Sequence, residues 1–242
     1  GNVVTGTVYR FEKGNIVADR GKTEGFIPKS EQSSKENFRQ GDRIKAFVVE
    51  VKKTGKGPQI VLSRANTGLI KKLFELEIPE IYEGIVEIKS ISREAGDRTK
   101  ISVFSKDEKI DCVGACVGMR GSRVKNIVKE LQGEKIDIVR WSEDTKEYII
   151  AALSPAKIST VKLEKDIKQA LVTVDDDQLS LAIGKKGQNV RLASKLTGWE
   201  IDIKPKAKAA VAVLGPEETA APVAALGAEE ALDISSLEGV GP

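Results

Sequence analysis

The sequence predicts a multidomain chain of the β plus α/β class, in which an all-β barrel is followed by two tandem α/β units. Two observations lead to this fold class. One short pattern begins at residue 111 and again at residue 177, and residues 1–64 consist of short apolar runs separated by glycines. A length of 242 residues with 40% hydrophobic content is enough for several small cores.

The repeated pattern predicts a helix, a Gly-x-x-Gly loop, a second helix and a strand. In each copy an Asp precedes apolar residues at helical spacing, which is typical of an N-cap. The first glycine is expected to end the first helix in the left-handed region, and the second to begin the next helix. Alternating segments at 135–141 and 199–204 then predict half-buried strands. The copies are Asp111-x-Val113-x-x-Cys116-Val117-Gly118-Met119-Arg120-Gly121 and Asp177-x-Leu179-x-x-Ala182-Ile183-Gly184-Lys185-Lys186-Gly187.

Both loops have the chemistry of a phosphate-binding element. Glycines without Cβ atoms let a sugar-phosphate chain approach the backbone, and N–H groups at a helix start attract anions. Cations in and after each loop add to this attraction. The arrangement resembles the KH domain, whose GXXG loop clamps nucleotides of single strands; the alternative is a simple helix–helix turn. The expected RNA contacts are Gly118, Met119, Arg120, Gly121, Arg123, Lys125, Gly184, Lys185, Lys186, Gly187, Gln188, Asn189 and Arg191.

Strand-like segments precede both helix pairs, which is the order of the bacterial type II KH domain. We therefore expect a first KH domain at 84–150 and a second at 151–206. The connection at 148–155 is short and apolar, so the two units should pack rigidly and offer one continuous groove to one strand. Before them, 65–83 predicts a helical connector stopped by Pro79.

Residues 1–64 predict five short strands of a small barrel. The blocks GTV at 6–8, EGFIPKSE at 24–31, GDRI at 41–44 and IVLSR at 60–64 resemble the S1 domain, an OB-fold family that binds RNA. OB-folds stack bases on exposed rings within a basic groove, and Phe26 is the first candidate among Tyr9, Phe11 and Phe26. The alternative is that Phe26 belongs to the core.

Charge and composition separate the body of the chain from its tail. The net charge is +3, yet residues 207–242 hold one Lys and six acidic residues, so the positive charge lies in 1–206. The tail at 207–242 predicts an acidic, Ala- and Pro-rich linker whose last residues resemble the opening of a helix-hairpin-helix motif. No apolar run is long enough for a transmembrane helix, which favours a cytoplasmic protein.

The residues that usually support catalysis or metal binding are sparse. Histidine is absent, so the commonest general base is missing. Cys112 and Cys116 alone cannot complete a tetrahedral zinc site, and we expect them to be buried apolar residues. The run at 175–177 is interpreted as a turn and helix cap, because consecutive Asp side chains do not converge on one ion. The sequence therefore predicts no enzyme, cofactor or metal.

The order of one S1 and two KH domains resembles the NusA family of bacterial transcription elongation, termination and antitermination factors. The resemblance covers 1–206 and includes FELEIPEI at 74–81, DCVGACVG at 111–118 and GEKIDIV at 133–139. It implies a monomer that binds nascent single-stranded RNA. It also implies attachment to RNA polymerase through an N-terminal domain, which we expect this chain, starting at Gly1, to lack. Two alternatives are an accessory module of RNA decay, in which KH precedes S1, and a structural scaffold that binds only proteins.

Overall fold

Five strands at the start of the chain close into a barrel. The computed structural model describes residues 1–21, 23–54 and 57–206. The strands are β1 (Val3–Glu12), β2 (Asn15–Asp19), β3 (Glu24–Ile27), β4 (Arg43–Thr54) and β5 (Gly57–Ser63). They pair in the order β1-β2-β3-β5-β4, and β1 also pairs with β4. The predicted barrel is confirmed, and its core consists of the inward residues Val8, Ile16, Ala18, Ile27, Ile44, Ala46 and Leu62.

The first α/β unit follows the barrel. It contains α1 (Thr67–Glu77), α2 (Pro79–Tyr82), β6 (Val86–Glu94), β7 (Arg98–Ser105), α3 (Cys112–Val117), α4 (Ser122–Glu130) and β8 (Lys135–Arg140). Its sheet has the order β6-β7-β8, with β6 antiparallel and β8 parallel to β7. Pro79 ends α1 as predicted, and it also occupies the first turn of α2 because its fixed φ suits a helix start.

Helix α1 belongs to the core of this unit. Leu69, Ile70 and Phe74 are fully buried in one cluster with residues of β6, β7, α3 and α4. The segment at 65–83, expected to be a connector, thus contains the first two helices of the α/β unit. Cys112 and Cys116 lie in the same core, and burial raises the pKa of the Cys116 thiol to about 12. The interpretation of both cysteines as buried apolar residues is confirmed.

The second unit repeats this order of elements apart from the short helix α2. It contains α5 (Thr145–Ala152), β9 (Thr160–Glu164), β10 (Gln169–Val174), α6 (Asp176–Ile183), α7 (Gln188–Thr197) and β11 (Glu200–Pro205). Strands β9 and β11 flank β10, antiparallel and parallel respectively. Helix α5, most of which the sequence placed in the first unit, packs in this core through Tyr148, Ile149 and Ala152. The second unit therefore runs α-β-β-α-α-β, and the first has the same order with the short α2 added after α1; this is the predicted type II KH order.

The first unit packs against both the barrel and the second unit. Helix α7 lies against β6 and β7, and the Tyr148 hydroxyl is 2.9 Å from Ser102 Oγ and 3.1 Å from the Leu196 carbonyl. At the barrel, the buried Arg64 pairs with Glu36 and donates to the Glu130 carbonyl at 2.9 Å. The expected packing of the repeated units is thus present. The predicted tail at 207–242 lies outside the described residues, and within them no helix has the length and apolar character to cross a membrane.

Candidate nucleic-acid interface

The two Gly-x-x-Gly loops share one backbone conformation. Gly118 and Gly184 have φ of 73° and 75° with ψ of 174° and 169°. The left-handed helical conformation expected for this first glycine is therefore wrong, because ψ is extended. This region is even more restricted to glycine. Gly121 and Gly187 do adopt the left-handed conformation and are the N-caps of α4 and α7, as the sequence predicted for the start of the second helix.

Two residues separate the glycines of each loop, and the second of them also has a left-handed backbone. Arg120 has φ of 53° and Lys186 has φ of 54°. A bond from the Gly121 N–H to the Gly118 carbonyl, and its counterpart from Gly187 to Gly184, closes each loop at 3.0 Å. The turn therefore projects its two middle side chains outward from the helix pair.

The predicted Asp caps are only partly present. Asp111 is the N-cap residue of α3, but its side chain makes no capping hydrogen bond. In the second unit α6 starts earlier than expected, with Asp175 as the N-cap, so Asp177 lies inside the first turn. The extended ψ of 153° at Asp175 explains the shift, because the chain turns helical directly after it.

The two glycines of each loop have different structural roles. A Cβ on Gly184 would lie 2.7 Å from the Asn189 Cβ, and one on Gly118 would lie 2.8 Å from the Arg123 Cγ. The space beside the first glycine is therefore filled by the protein itself. Beside Gly187 the nearest atom to such a Cβ is an Arg191 nitrogen at 4.0 Å. The second glycine is therefore the one that a ligand backbone could approach.

Arg123 and Asn189 hold the loops from within. Arg123 Nη1 donates to the Ala115 carbonyl at 2.6 Å and to Glu80 Oε2 at 2.8 Å. Asn189 is 4% exposed, and its Nδ2 lies 3.0 Å from both the Leu153 and Ala182 carbonyls. Both residues stand second after the second glycine and bond to the end of the preceding helix. The expectation that Asn189 contacts RNA is therefore not supported by its position, because its side chain is buried.

The outer side of each loop carries exposed side chains. Met119 is 87% exposed, and Arg120, Lys185 and Lys186 are also exposed. Lys125 Nζ donates to the Arg120 carbonyl at 2.9 Å, and Arg191 Nη1 donates to the Lys186 carbonyl at 3.1 Å. These two cations occupy equivalent positions, one turn into the second helix. Each loop thus presents cations around its open glycine, and this matches the sequence expectation.

A hairpin of the first unit reaches the second loop, which the sequence did not indicate. Glu94, at the end of β6, accepts from Arg191 Nε at 2.6 Å and from Gln188 Nε2 at 2.8 Å. The bond from Arg191 is the main reason that the pKa of Glu94 is lowered. Lys35 of the barrel pairs with Asp97 in the same hairpin, and this pair, aided by Lys185 and Lys186, lowers the pKa of Asp97. These contacts join residues far apart in sequence.

On the barrel, Phe26 faces outward between the buried Gly25 and Ile27 and is half-buried. Tyr9 and Phe11 are more open, with 52% and 49% exposure. The Arg10 guanidinium lies 5.2 Å from the centre of the Tyr9 ring and bonds to Glu24 at 2.7 Å. Phe26 is thus outside the barrel core, yet Tyr9 and Phe11 are the better exposed stacking surfaces.

A closed barrel followed by two type II α/β units, each with a basic glycine-flanked loop, defines the S1–KH–KH class of nucleic-acid-binding proteins. Family models agree. An S1 RNA binding domain matches residues 1–63, a NusA-like first KH domain matches 64–141, and a NusA-like second KH domain matches 145–211.

Curated relatives extend the match. The chain is 58% identical over 208 residues to "Transcription termination/antitermination protein NusA" of Halalkalibacterium halodurans, covering 86% of this chain and 54% of that protein. It is 52% identical over 217 residues to the Bacillus subtilis protein of the same name, and the match covers 90% of this chain and 58% of that protein. The chain belongs to the NusA family. It spans about half the length of these relatives.

Proposed function

We propose that this chain is the RNA-binding region of a bacterial transcription termination and antitermination factor. It holds single-stranded RNA by its phosphates and acts by binding, without catalysis. The carrying observation is the pair of loops with the same backbone, each placing exposed cations around an open glycine. Such a surface suits a ribose-phosphate chain, because glycine permits close approach and the cations neutralise charge.

The loop cations test this proposal directly. Replacing Lys185 and Lys186 together by Asp is expected to remove most affinity for a short single-stranded RNA in an anisotropy titration. The matched control replaces the exposed Lys162 and Lys165 of the same unit by Asp, with the same change in charge. Both variants should melt like the unmodified chain. Equal affinities for the two variants would contradict the proposal.

Salt dependence separates RNA binding from a scaffold role. We expect the logarithm of the RNA affinity to fall with the logarithm of salt concentration, with a slope of about −0.7 per phosphate neutralised. Affinity that does not respond to salt, or no affinity, would favour a scaffold that binds only proteins. An accessory module of RNA decay would share the salt response, but the S1–KH–KH order and the names of the relatives favour transcription.

Attachment to RNA polymerase is the second part of the proposal. We propose that the whole protein contacts polymerase through the N-terminal domain of its family and works in the cytoplasm as a monomer. A pull-down with purified bacterial polymerase is expected to retain this chain only weakly. Strong retention would place a polymerase contact within the S1–KH–KH region. Light scattering during gel filtration is a separate test, of the oligomeric state, and should give the mass of a monomer.

A further inference from the structure

Both carboxylate oxygens of Glu94 are used by the start of helix α7. Oε1 accepts from Arg191 Nε at 2.6 Å, and Oε2 accepts from Gln188 Nε2 at 2.8 Å. Glu94 is the last residue of β6 in the first unit, and its side chain is 23% exposed. The Arg191 side chain is 46% exposed, so the pair lies at the surface, and the second bond, from Gln188, helps to hold the carboxylate in place. The first unit therefore fixes two side chains beside the second loop.

These contacts leave Arg191 in one defined orientation. Its Nε bonds to Glu94, and its Nη1 bonds to the Lys186 carbonyl at 3.1 Å. The guanidinium has five N–H donors, of which these bonds use two. The same Nη1 is the atom that lies 4.0 Å from the place of a Cβ on Gly187. The second N–H of Nη1 is thus held next to the open glycine, where the proposed function places a phosphate.

The first loop differs at the equivalent position. Lys125 takes the place of Arg191 and bonds to the Arg120 carbonyl. Within the described part of the chain, no carboxylate lies within ion-pair distance of Lys125. A lysine held by one bond keeps more rotamer freedom than an arginine fixed at two atoms. The cross-unit contact is therefore a feature of the second loop and does not follow from the repeated motif.

We propose that Glu94 of the first unit is a positioning residue for the phosphate site of the second loop, through Arg191 and Gln188. The inference rests on the proposed RNA binding. An arginine ordered before the RNA arrives loses less conformational entropy on binding, so the carboxylate increases affinity despite its negative charge. If Glu94 instead competes with phosphate for Arg191, removal of its charge should strengthen RNA binding.

The variant Glu94→Gln distinguishes the two roles, because one predicts weaker and the other stronger RNA binding. We expect single-stranded RNA to bind it about fivefold more weakly, because the Arg191 side chain regains rotamer freedom. The salt slope should stay unchanged, because Arg191 keeps its charge and still meets the phosphate, at a greater cost in conformational entropy. Glu87→Gln is the matched control: it removes the same charge from the same strand, where Glu87 pairs with Lys89, and should bind as the unmodified chain does. Tighter binding by Glu94→Gln would overturn the inference in favour of competition.

Two further variants keep the test independent of folding. Glu94→Asp retains the charge but shortens the side chain, so it too should weaken RNA binding. In an Arg191→Ala background, Glu94→Gln should lose most of its effect, since the positioned group is gone. An effect of full size in that background would overturn the inference. Unchanged binding by Glu94→Gln, with binding abolished in the Lys185→Asp, Lys186→Asp double variant, refutes only this inference. Unchanged binding by both variants refutes the proposed function.

Discussion

Asn189 packs directly against Gly184. A Cβ on Gly184 would lie 2.7 Å from the Asn189 Cβ and 2.8 Å from its backbone nitrogen. Gly118 has the same relation to Arg123 in the other unit. The first glycine of each loop is thus required by internal packing and by its backbone angles, whereas the second faces open space. This difference in the two roles can be measured.

Gly184→Ala and Gly187→Ala should differ in their cost. At Gly184 the extended backbone with positive φ and the contact with Asn189 act together, so we expect a loss of about 3 kcal/mol or more in the free energy of unfolding. At Gly187 the left-handed conformation alone costs about 1–2 kcal/mol. Urea denaturation of both variants checks the order, and a greater loss at Gly187 would contradict the assigned roles.

Asn189→Ala should affect stability and leave RNA affinity nearly unchanged. The variant takes the Asn189 donor from the buried Ala182 carbonyl and one of two donors from the Leu153 carbonyl, which also accepts from the Ala156 N–H, at an expected cost of about 1–3 kcal/mol. Lys185→Ala is the complementary variant: it should weaken RNA binding and change the stability by less than about 0.5 kcal/mol. Thermal melts and anisotropy titrations on both variants separate the effects. Normal melting of Asn189→Ala with weak RNA binding would restore Asn189 to the RNA surface.

The barrel rings provide a third prediction. If bases stack on the outer face of the barrel, Tyr9→Ala and Phe11→Ala should each weaken RNA binding by about tenfold, within the range of base–aromatic stacking. Phe26→Ala should have a smaller effect on RNA binding, because that ring is half-buried. Titration of the three variants with one RNA long enough to reach the barrel provides the comparison. If all three variants bind RNA as tightly as the unmodified chain, the outer barrel face does not contact the RNA.

Acid should destabilise the first unit through Glu134, which bonds to residues of β6, β7 and the turn between them. Burial would raise the pKa of Glu134, but the bonds from Arg93, with those from Thr99 and Gly96, more than offset it and lower this pKa. The Arg93–Glu134 pair, 2.8 Å apart and fully buried, therefore contributes stability above the ordinary Glu pKa of about 4.3. That contribution is lost as pH falls through the lowered pKa.

The variant Glu134→Gln tests this pH dependence. At pH 7 it should lose about 3–5 kcal/mol, because Arg93 stays buried without its partner. Between about pH 5 and 3 its stability should decline less steeply than that of the unmodified chain, since one titrating carboxylate is gone. Urea denaturation across this range provides the comparison, and parallel declines would contradict the assignment.

Much of the fold follows from local chemistry. Glycines at fixed intervals, apolar residues at helical spacing and alternating strands depend on neighbours a few residues apart, so the barrel, both helix pairs and both loops could be predicted. Boundaries that depend on packing were harder to predict. The helix at Thr67–Glu77 has an ordinary amphipathic pattern, and only its burial against β6 and β7 shows that it begins the first α/β unit.

The sequence by itself determined that two glycine-flanked basic loops exist and that their backbones require glycine. Only the tertiary structure decided which of the nearby polar side chains remain available to a ligand. Arg123 and Asn189 turn inward to the carbonyls of the preceding helices, while Arg191 is held by Glu94, 97 positions away. The physical reason is that backbone conformation is set by local sterics, whereas the partner of a charged side chain is set by whatever the fold brings within hydrogen-bond distance.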